Sequence, residues 1–442
     1  MEVPSEAGAT GARKTVNPGA RLHRAAAAAV LHTPTIRLPD ATAIKRTAAG
    51  SPWSVALSVA VIYGAWLLLG AWTGHDARDF IVLGKKFVLR SHVSKVITYD
   101  PRYNYAQDGY TGYDGQFAYY IALDPLKARY YVDDPVYRYT RIVYPMLARL
   151  FAWGNTDLIP VTLILVNLLA LAGGTLGLAA FLRRMGTSPW FALIYGFYPG
   201  LFVALRRDLT EPLAYALVIL GIYLFHFAGR RRVLWSALAF SVALLTREAV
   251  AVFAAIYGLA LCAEAWKPRE ILSKVQAFLK GPVFFALVAL VPLLAYEAVL
   301  IHWIGHTDAT TTRNLPSMIP FGGLMVYWPW MPLQLPGVIG VVLPALVCLG
   351  VALWGLHKLG NQSELWLLVV NIVAFVIMLS WASYGNYFAI GRVAAGVVLA
   401  AILCLPTFNR LFQGRLAWLW VSSVLWLAPW DQMTTLVAFY QH

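Results

Sequence analysis

Charge is what this 442-residue sequence has least of. Only 13% of its residues are Asp, Glu, Lys or Arg, about half the share of an ordinary soluble domain. Cysteine is nearly absent too. The three present (Cys262, Cys348, Cys404) stand alone in apolar runs, without the paired spacing of a zinc site or a disulfide framework, and read as small core residues. The first 50 residues hold no apolar run of signal-peptide kind. Histidines at 75, 92, 302 and 306 do not cluster as metal ligands do. His302 and His306 are four apart, but Asp308 is the only nearby carboxylate. No metal or other cofactor is therefore expected. The chain also shows no internal repeat of the inverted kind on which many transporters are built.

What the sequence has instead is apolar length. Hydrophobic residues make up 60% and the mean hydropathy is +0.63. They fall in runs such as 159–182, 209–227, 281–303 and 337–356, each near the ~20 residues that cross a bilayer as a helix. In lipid such runs must be helical, because a helix satisfies its own backbone hydrogen bonds. The expected fold class is an all-α polytopic integral membrane protein with about 11 spans. They are placed at 54–73, 158–182, 187–204, 209–228, 233–246, 249–266, 281–303, 336–357, 364–381, 388–406 and 415–431. The net charge of +14 then reads as flank charge facing anionic headgroups, and nucleic acid is not the expected partner. The 17 Trp and 23 Tyr suit the membrane interface.

Residues 1–50, rich in Ala, Thr, Pro and Arg, read as a disordered basic tail ahead of a membrane domain over 51–442. A cytoplasmic N-terminus puts 19 Lys and Arg inside and 16 outside, of which eleven lie in the first outer loop, about 74–157. Long loops translocate largely regardless of charge, and without this one the ratio is 19 to 5. The loop is too long for a connector. Its stretch 140–153 is amphipathic, with Ile142, Tyr144, Met146, Leu147 and Leu150 set against Arg141 and Arg149, and predicts a helix at the membrane surface or partly re-entrant. A second outer loop, about 304–335, carries Pro316, Pro320, Gly322, Gly323, Trp328, Pro329 and Trp330.

This topology sends Asp76, Asp79, Asp114, Arg206, Arg207, Asp208, Glu211, Arg247, Glu248 and Arg392 to the outer ends of helices. Charges at such depth are costly unless paired or facing a wet cavity, which makes them functional candidates. Snorkelling flank residues and structural ion pairs, such as Arg247 with Glu211, are the plainer alternative. Glu297, inside an apolar run, is a candidate cavity residue or partner for an arginine. The densest motif is Gly112-Tyr-Asp-Gly-Gln-Phe-Ala-Tyr-Tyr-Ile-Ala. Asp114 there has two readings: a general base held ionised at a helix N-terminus, or an N-cap in a solvated loop.

The stretch Tyr113-Asp-Gly-Gln-Phe-Ala-Tyr-Tyr-Ile-Ala resembles the first-loop motif of GT-C membrane glycosyltransferases, nearest to GPI mannosyltransferase II-type proteins and their bacterial relatives. Arg141-Ile-Val-Tyr-Pro-Met-Leu-Ala-Arg149, Tyr198-Pro-Gly, Arg207-Asp-Leu-Thr-Glu-Pro-Leu-Ala214, Leu245-Thr-Arg-Glu-Ala249 and Gly385-Asn-Tyr-Phe-Ala-Ile-Gly-Arg392 are similar in order to later family segments, across most of 54–410. The resemblance implies an inverting transferase that passes a sugar from a polyprenyl-phosphate donor to an extracytoplasmic acceptor. It implies a first-loop carboxylate as base, Asp114 first and Asp79 second, since Asp76-Ala-Arg-Asp-Phe also looks like the family signature. Arg247 and Arg392, then Arg207 and Arg206, would hold the lipid phosphate. Tyr113, Gln116, Asp76, Asp208, Glu211 and Glu248 would support them. The chain departs from better-known members in ending soon after its last span, at Gln441-His442. Acceptor choice is then expected from the outer loops or from another membrane subunit. Two other functions compete: a non-catalytic GT-C-like subunit of a larger complex, and a transporter or flippase of a lipid-linked substrate. Short cytoplasmic loops suit a bacterial inner membrane, with the endoplasmic reticulum as the other compatible compartment.

Overall fold

The computed structural model describes residues 50–92, 112–268, 270–305, 316–326, 335–385 and 387–427. The basic tail, His306, Asp308, Trp328–Trp330 and the end of the last apolar run lie outside them, as does the side chain of His92. Every regular element among these residues is helical: α1 (Pro52–Trp72), α2 (Lys85–His92), α3 (Gly115–Leu123), α4 (Pro135–Tyr139), α5 (Val143–Phe151), α6 (Ile159–Arg184), α7 (Ala192–Gly196), α8 (Pro199–Arg206), α9 (Glu211–Phe227) and α10 (Arg232–Thr246). The chain continues through α11 (Ala251–Ala265), α12 (Ile271–Phe278), α13 (Phe284–Ile304), α14 (Gly322–Met325), α15 (Leu343–Leu359), α16 (Ser363–Ile372), α17 (Trp381–Gly385), α18 (Tyr387–Val393), α19 (Ala395–Leu403) and α20 (Arg410–Leu419).

Six segments are long and apolar enough to cross a membrane: Pro52–Trp72, Thr156–Arg184, Glu248–Ala265, Ile271–Ile304, Leu335–Leu359 and Ala389–Thr407. The remaining apolar runs are helical but shorter. Glu211–Phe227 and Ser363–Ile377 are short apolar helices. The run at 187–204 breaks between α7 and α8, because Pro199 cannot donate the backbone hydrogen bond that would continue the helix. Ala389–Thr407 is almost wholly enclosed, whereas Ile271–Ile304 is the least buried of the six.

A core of buried aliphatic and aromatic side chains runs through the long helices. A second core belongs to the described residues of 81–92 and 112–152, where Tyr120, Tyr131, Tyr139 and Tyr144 are buried with Ile159 and Leu163 of α6, Leu213 of α9 and Leu300 of α13. The segment expected as an outer loop is thus a packed unit seated on three helices. Arg129 fastens it further, donating to the Trp303 carbonyl and stacking on that ring.

The amphipathic stretch forms α5, but its polar side faces inward. Arg149 donates to the carbonyls of Ala122 and Leu123, closing the C-terminal end of α3 where carbonyls lack helical partners. Arg141 reaches Glu248. Leu150, Phe151 and Trp153 stay exposed instead. Hydrophobic periodicity placed the helix correctly and could not say which face met the protein, because buried carbonyls and carboxylates attract arginine as strongly as water does.

Bare backbone sets the closest approaches. A Cβ at Gly115 would sit 2.0 Å from the Arg207 carbonyl oxygen, whereas one at Gly70, on the outer face of α1, would meet nothing within 4 Å. Gly115→Ala is expected to lower detergent-solubilised thermal stability by about 1–3 kcal/mol or more. Gly70→Ala should leave it unchanged or raise it by up to about 1 kcal/mol through helix propensity. A thermal unfolding series on the two variants checks both signs.

Candidate functional site

The motif around Asp114 is held by its neighbours before Asp114 itself is considered. Gly112 adopts a left-handed φ of +65°, and a Cβ there would stand 2.3 Å from the Gly84 nitrogen, so only glycine fits. The Tyr113 N–H donates to the Val82 carbonyl. Gln116, marked as supporting, is fully buried and accepts from the Gly84 N–H through Oε1 at 2.9 Å. It braces the strand of backbone at 82–84 and does not face the site. Gly115 then lets the start of α3 rest on the Arg207 carbonyl, which brings Asp114 beside the turn between α8 and α9. Asp114 holds the N-cap position of α3, but its backbone is already helical and its side chain makes no capping hydrogen bond.

Its carboxylate goes to arginines. Arg138 Nη2 donates to Asp114 Oδ1 at 3.1 Å, and Arg392 Nη2 lies 3.8 Å from Oδ2. Arg138 also binds Asp133 at 2.7 Å and stacks on Phe117. Arg392 Nη1 in turn stands 3.5 Å from Glu211 Oε1, and Arg247 Nη1 is 3.3 Å from the same oxygen. Arg141 forms a two-pronged pair with Glu248. Tyr113 lies between two cations, with Arg392 at 5.2 Å and Arg207 at 5.6 Å from its ring. Burial opposes the Asp114 anion, but Arg138 and Arg392 outweigh it, and the carboxyl is held down at about 2. It stays ionised at any physiological pH. The Tyr113 hydroxyl is pushed up to about 12 by burial, against the pull of Arg392, and stays protonated.

Close packing of backbone again positions the far partner. A Cβ on Gly200 would sit 2.2 Å from the Gly391 carbonyl, so α8 and α18 touch main chain to main chain one residue before Arg392. Asp114, Arg138, Arg141, Asp208, Glu211, Arg247 and Arg392 then line one cavity of about 30 Å³, room for one or two water molecules. Asp114 keeps 40% of its side-chain surface exposed, while Glu211 has none.

The sequence expectations divide here. The structure brings Asp114, Glu211, Arg247 and Arg392 together, and the Arg247–Glu211 pair is formed. It sets Asp76, Asp79 and Arg206 elsewhere, in a separate groove. Asp76 and Asp79 cap each other in one turn, and the Arg206 guanidinium donates to the Asp79 carbonyl. Arg207 borders Tyr113 but does not line the Asp114 cavity. Glu297 is not part of the cavity lining. Sequence reasoning missed Arg138 and read Arg141 as a solvent-facing residue. The signal was present in Asp133–Arg141, where two arginines three apart stand beside acids and tyrosines, one on a short helix and one in the turn that follows it.

Asp208 has a different state. It is fully buried, its backbone is left-handed at φ 50°, and neither carboxylate oxygen accepts a hydrogen bond from the described residues. The neighbouring Tyr144 hydroxyl donates to the Leu163 carbonyl instead. Burial pushes its carboxyl well above the ordinary range, with Arg206 opposing only in part. Among the described residues, no group of three or more His, Cys, Asp or Glu could hold a metal ion.

No protein-family model, curated protein or solved structure matches this chain.

Two outcomes follow from the charges. Glu211→Gln leaves two guanidinium groups facing each other without their shared anion, and should cost about 3 kcal/mol or more of stability. Adding Arg247→Met to that variant should recover part of the loss, measured as a double-mutant cycle in thermal unfolding. For Asp208 the native state holds a proton that the unfolded chain releases near pH 4. Parental stability therefore falls as pH rises above about 4. Asp208→Asn, which tolerates the left-handed backbone, should be the more stable protein at neutral pH, its advantage growing by up to about 1.4 kcal/mol per pH unit. Unfolding curves between pH 4 and 8 test the sign.

Proposed function

We propose that this chain is a polytopic membrane protein with a cytoplasmic N-terminus, about eleven spans and a GT-C-like fold, of the kind suited to a bacterial inner membrane. We propose further that it transfers a sugar from a polyprenyl-phosphate donor to an acceptor hydroxyl on the outer side. The membrane reading draws on the six long apolar helices and on large apolar side chains left bare along them, among them Leu68, Trp72, Leu287 and Leu294, a surface water would not tolerate. The transferase reading rests on the resemblance and on one observation above all. A first-loop carboxylate, Asp114, meets Arg247 and Arg392 at a single cavity.

Chemically the arrangement suits an inverting displacement. The acceptor oxygen attacks the anomeric carbon as the bond from that carbon to the lipid phosphate oxygen breaks. The phosphate leaves with the electron pair, and Arg247 and Arg392 offset its charge. Asp114 receives the acceptor proton. Held at about 2, it is a weak base, so the proton moves once attack has made the hydroxyl acidic. Both Asp114 oxygens already face guanidinium groups, and an acceptor must displace Arg138 from Oδ1 or approach the exposed part of the carboxylate.

A second reading has its own observation. The cavity is water-sized and its arginines are all engaged with acids, as a non-catalytic subunit on the same scaffold would leave them. Purified protein assayed with a panel of radiolabelled polyprenyl-phosphate sugars separates the two. Asp114→Asn is expected to abolish transfer, by at least about 100-fold, with unfolding temperature retained, and Asp79→Asn to preserve it. Transfer that survives Asp114→Asn would sink the proposed site, and no transfer from any donor would favour the subunit.

A further inference from the structure

A second hollow lies apart from the Asp114 cavity. It is a groove of about 540 Å³ between the end of α1, the turn at Ala77–Phe80 and the first half of α6. Its long walls are apolar: Trp66 and Leu67 on α1, Val161, Ile164, Leu165 and Leu168 on α6. Val161 and Leu165 are exposed. Gly70 faces the groove with nothing within 4 Å of the place a Cβ would occupy, so the hollow stays open where a side chain would close it.

One end is charged, and by both signs. Asp79 uses Oδ2 for the Asp76 N–H and for His75, and Asp76 uses Oδ1 for the Arg78 N–H. Next to them Arg206, stacked on Phe80, places its guanidinium against the Asp79 backbone. Two carboxylates in one turn and a guanidinium reaching that turn from the end of α8, at the mouth of an apolar slot, form a receptor for a headgroup that carries a phosphate and a cation on a hydrocarbon tail.

We propose that this groove is a binding site for a membrane phospholipid with a primary-ammonium headgroup. Its acyl chain lies between α1 and α6, its phosphate meets Arg206, and its ammonium donates to Asp76 and Asp79. Three N–H donors suit two carboxylates. A quaternary ammonium offers no donor, and an anionic glycerol headgroup brings no cation to the acids. The site is distinct from the Asp114 cavity, and it gives Asp79 a role other than that of base. It rests on the membrane reading and is independent of the transferase reading.

The test uses the full chain, purified in detergent and stripped of lipid, then titrated with phosphatidylethanolamine, phosphatidylcholine or phosphatidylglycerol in mixed micelles. Bound lipid is counted by native mass spectrometry, and thermal unfolding is followed in parallel. Phosphatidylethanolamine should be retained roughly tenfold more tightly than the other two, the return of one charge-assisted hydrogen bond. Asp76→Asn with Asp79→Asn should erase that preference while the acyl chain still binds. A Cβ at Gly70 meets nothing within 4 Å, so Gly70→Trp can enter the groove and pack against its apolar walls, and should remove the site for all three lipids with helix content unchanged. Equal retention of the three lipids, or a Gly70→Trp protein that still holds its lipid, would overturn the proposal. Lipid bound without headgroup preference leaves the membrane reading standing and refutes only this site. A chain that stays monomeric without detergent and binds none of the three refutes both.

Discussion

One oxygen of Glu211 organises the end of the molecule that holds the charged cavity. The side chain has no exposed surface, and an isolated anion in such a place would be untenable. It persists because Arg247, at the junction of α10 and α11, and Arg392, on α18, converge on it from parts of the chain far apart in sequence. That convergence fixes how α9, α10 and α18 meet. Everything nearer the surface is then arranged around charges already committed: Arg392 has one nitrogen left for Asp114, Arg138 approaches Asp114 from the other side, and Asp133 ends the chain of pairs. Buried networks of this kind add little net stability over an apolar core. Their value lies in orientation, since few alternative packings satisfy four acids and four arginines at once.

The same network explains why the proposed chemistry would need the site to open. A carboxylate between two guanidinium groups is ionised and also occupied. Arg138 on α4 and Arg141 in the turn before α5 belong, with Asp114 at the start of α3, to a unit with its own core, and that unit grips Glu248 through Arg141. If that unit tilts, Asp114 and Arg138 move together, and the cavity widens by parting Asp114 from Arg392 and Arg141 from Glu248, whereas Arg247 and Arg392 remain fixed by Glu211. The division of labour is built into which residues sit on which element.

Much of this was legible in the sequence, and the reasons differ by feature. Apolar length gave the helices, because hydrophobic runs of that size have few other fates, although 187–204 reads as one segment only if Pro199 is ignored. The Glu211–Arg247 pair could be anticipated, since acids and bases at one depth in apolar surroundings must find each other. Asp114 stood out through its motif. Its rival Asp79 could not be set apart from sequence alone, because Asp76-Ala-Arg-Asp-Phe also resembles the family signature, and what separates the two in the structure is the turn that places Asp79 beside α1 and α6. Arg138 was missed because a loop arginine beside tyrosines looks solvated until the fold encloses it. The inward turn of Arg141 and Arg149 was illegible for a related reason: an amphipathic pattern reports two faces and not their destinations.

The contact of Gly200 with Gly391 carries a consequence for how such a protein would diverge. Where two helices meet through side chains, a lost methyl on one can be answered by a gained methyl on the other, and the pair drifts. Where they meet through bare backbone, no such trade exists: any larger residue pushes Arg392 away from its partners by the width of a carbon atom. Distant descendants of this chain would therefore be recognised less by their arginines, which lysine replaces in charge, than by glycine at 112, 115 and 200.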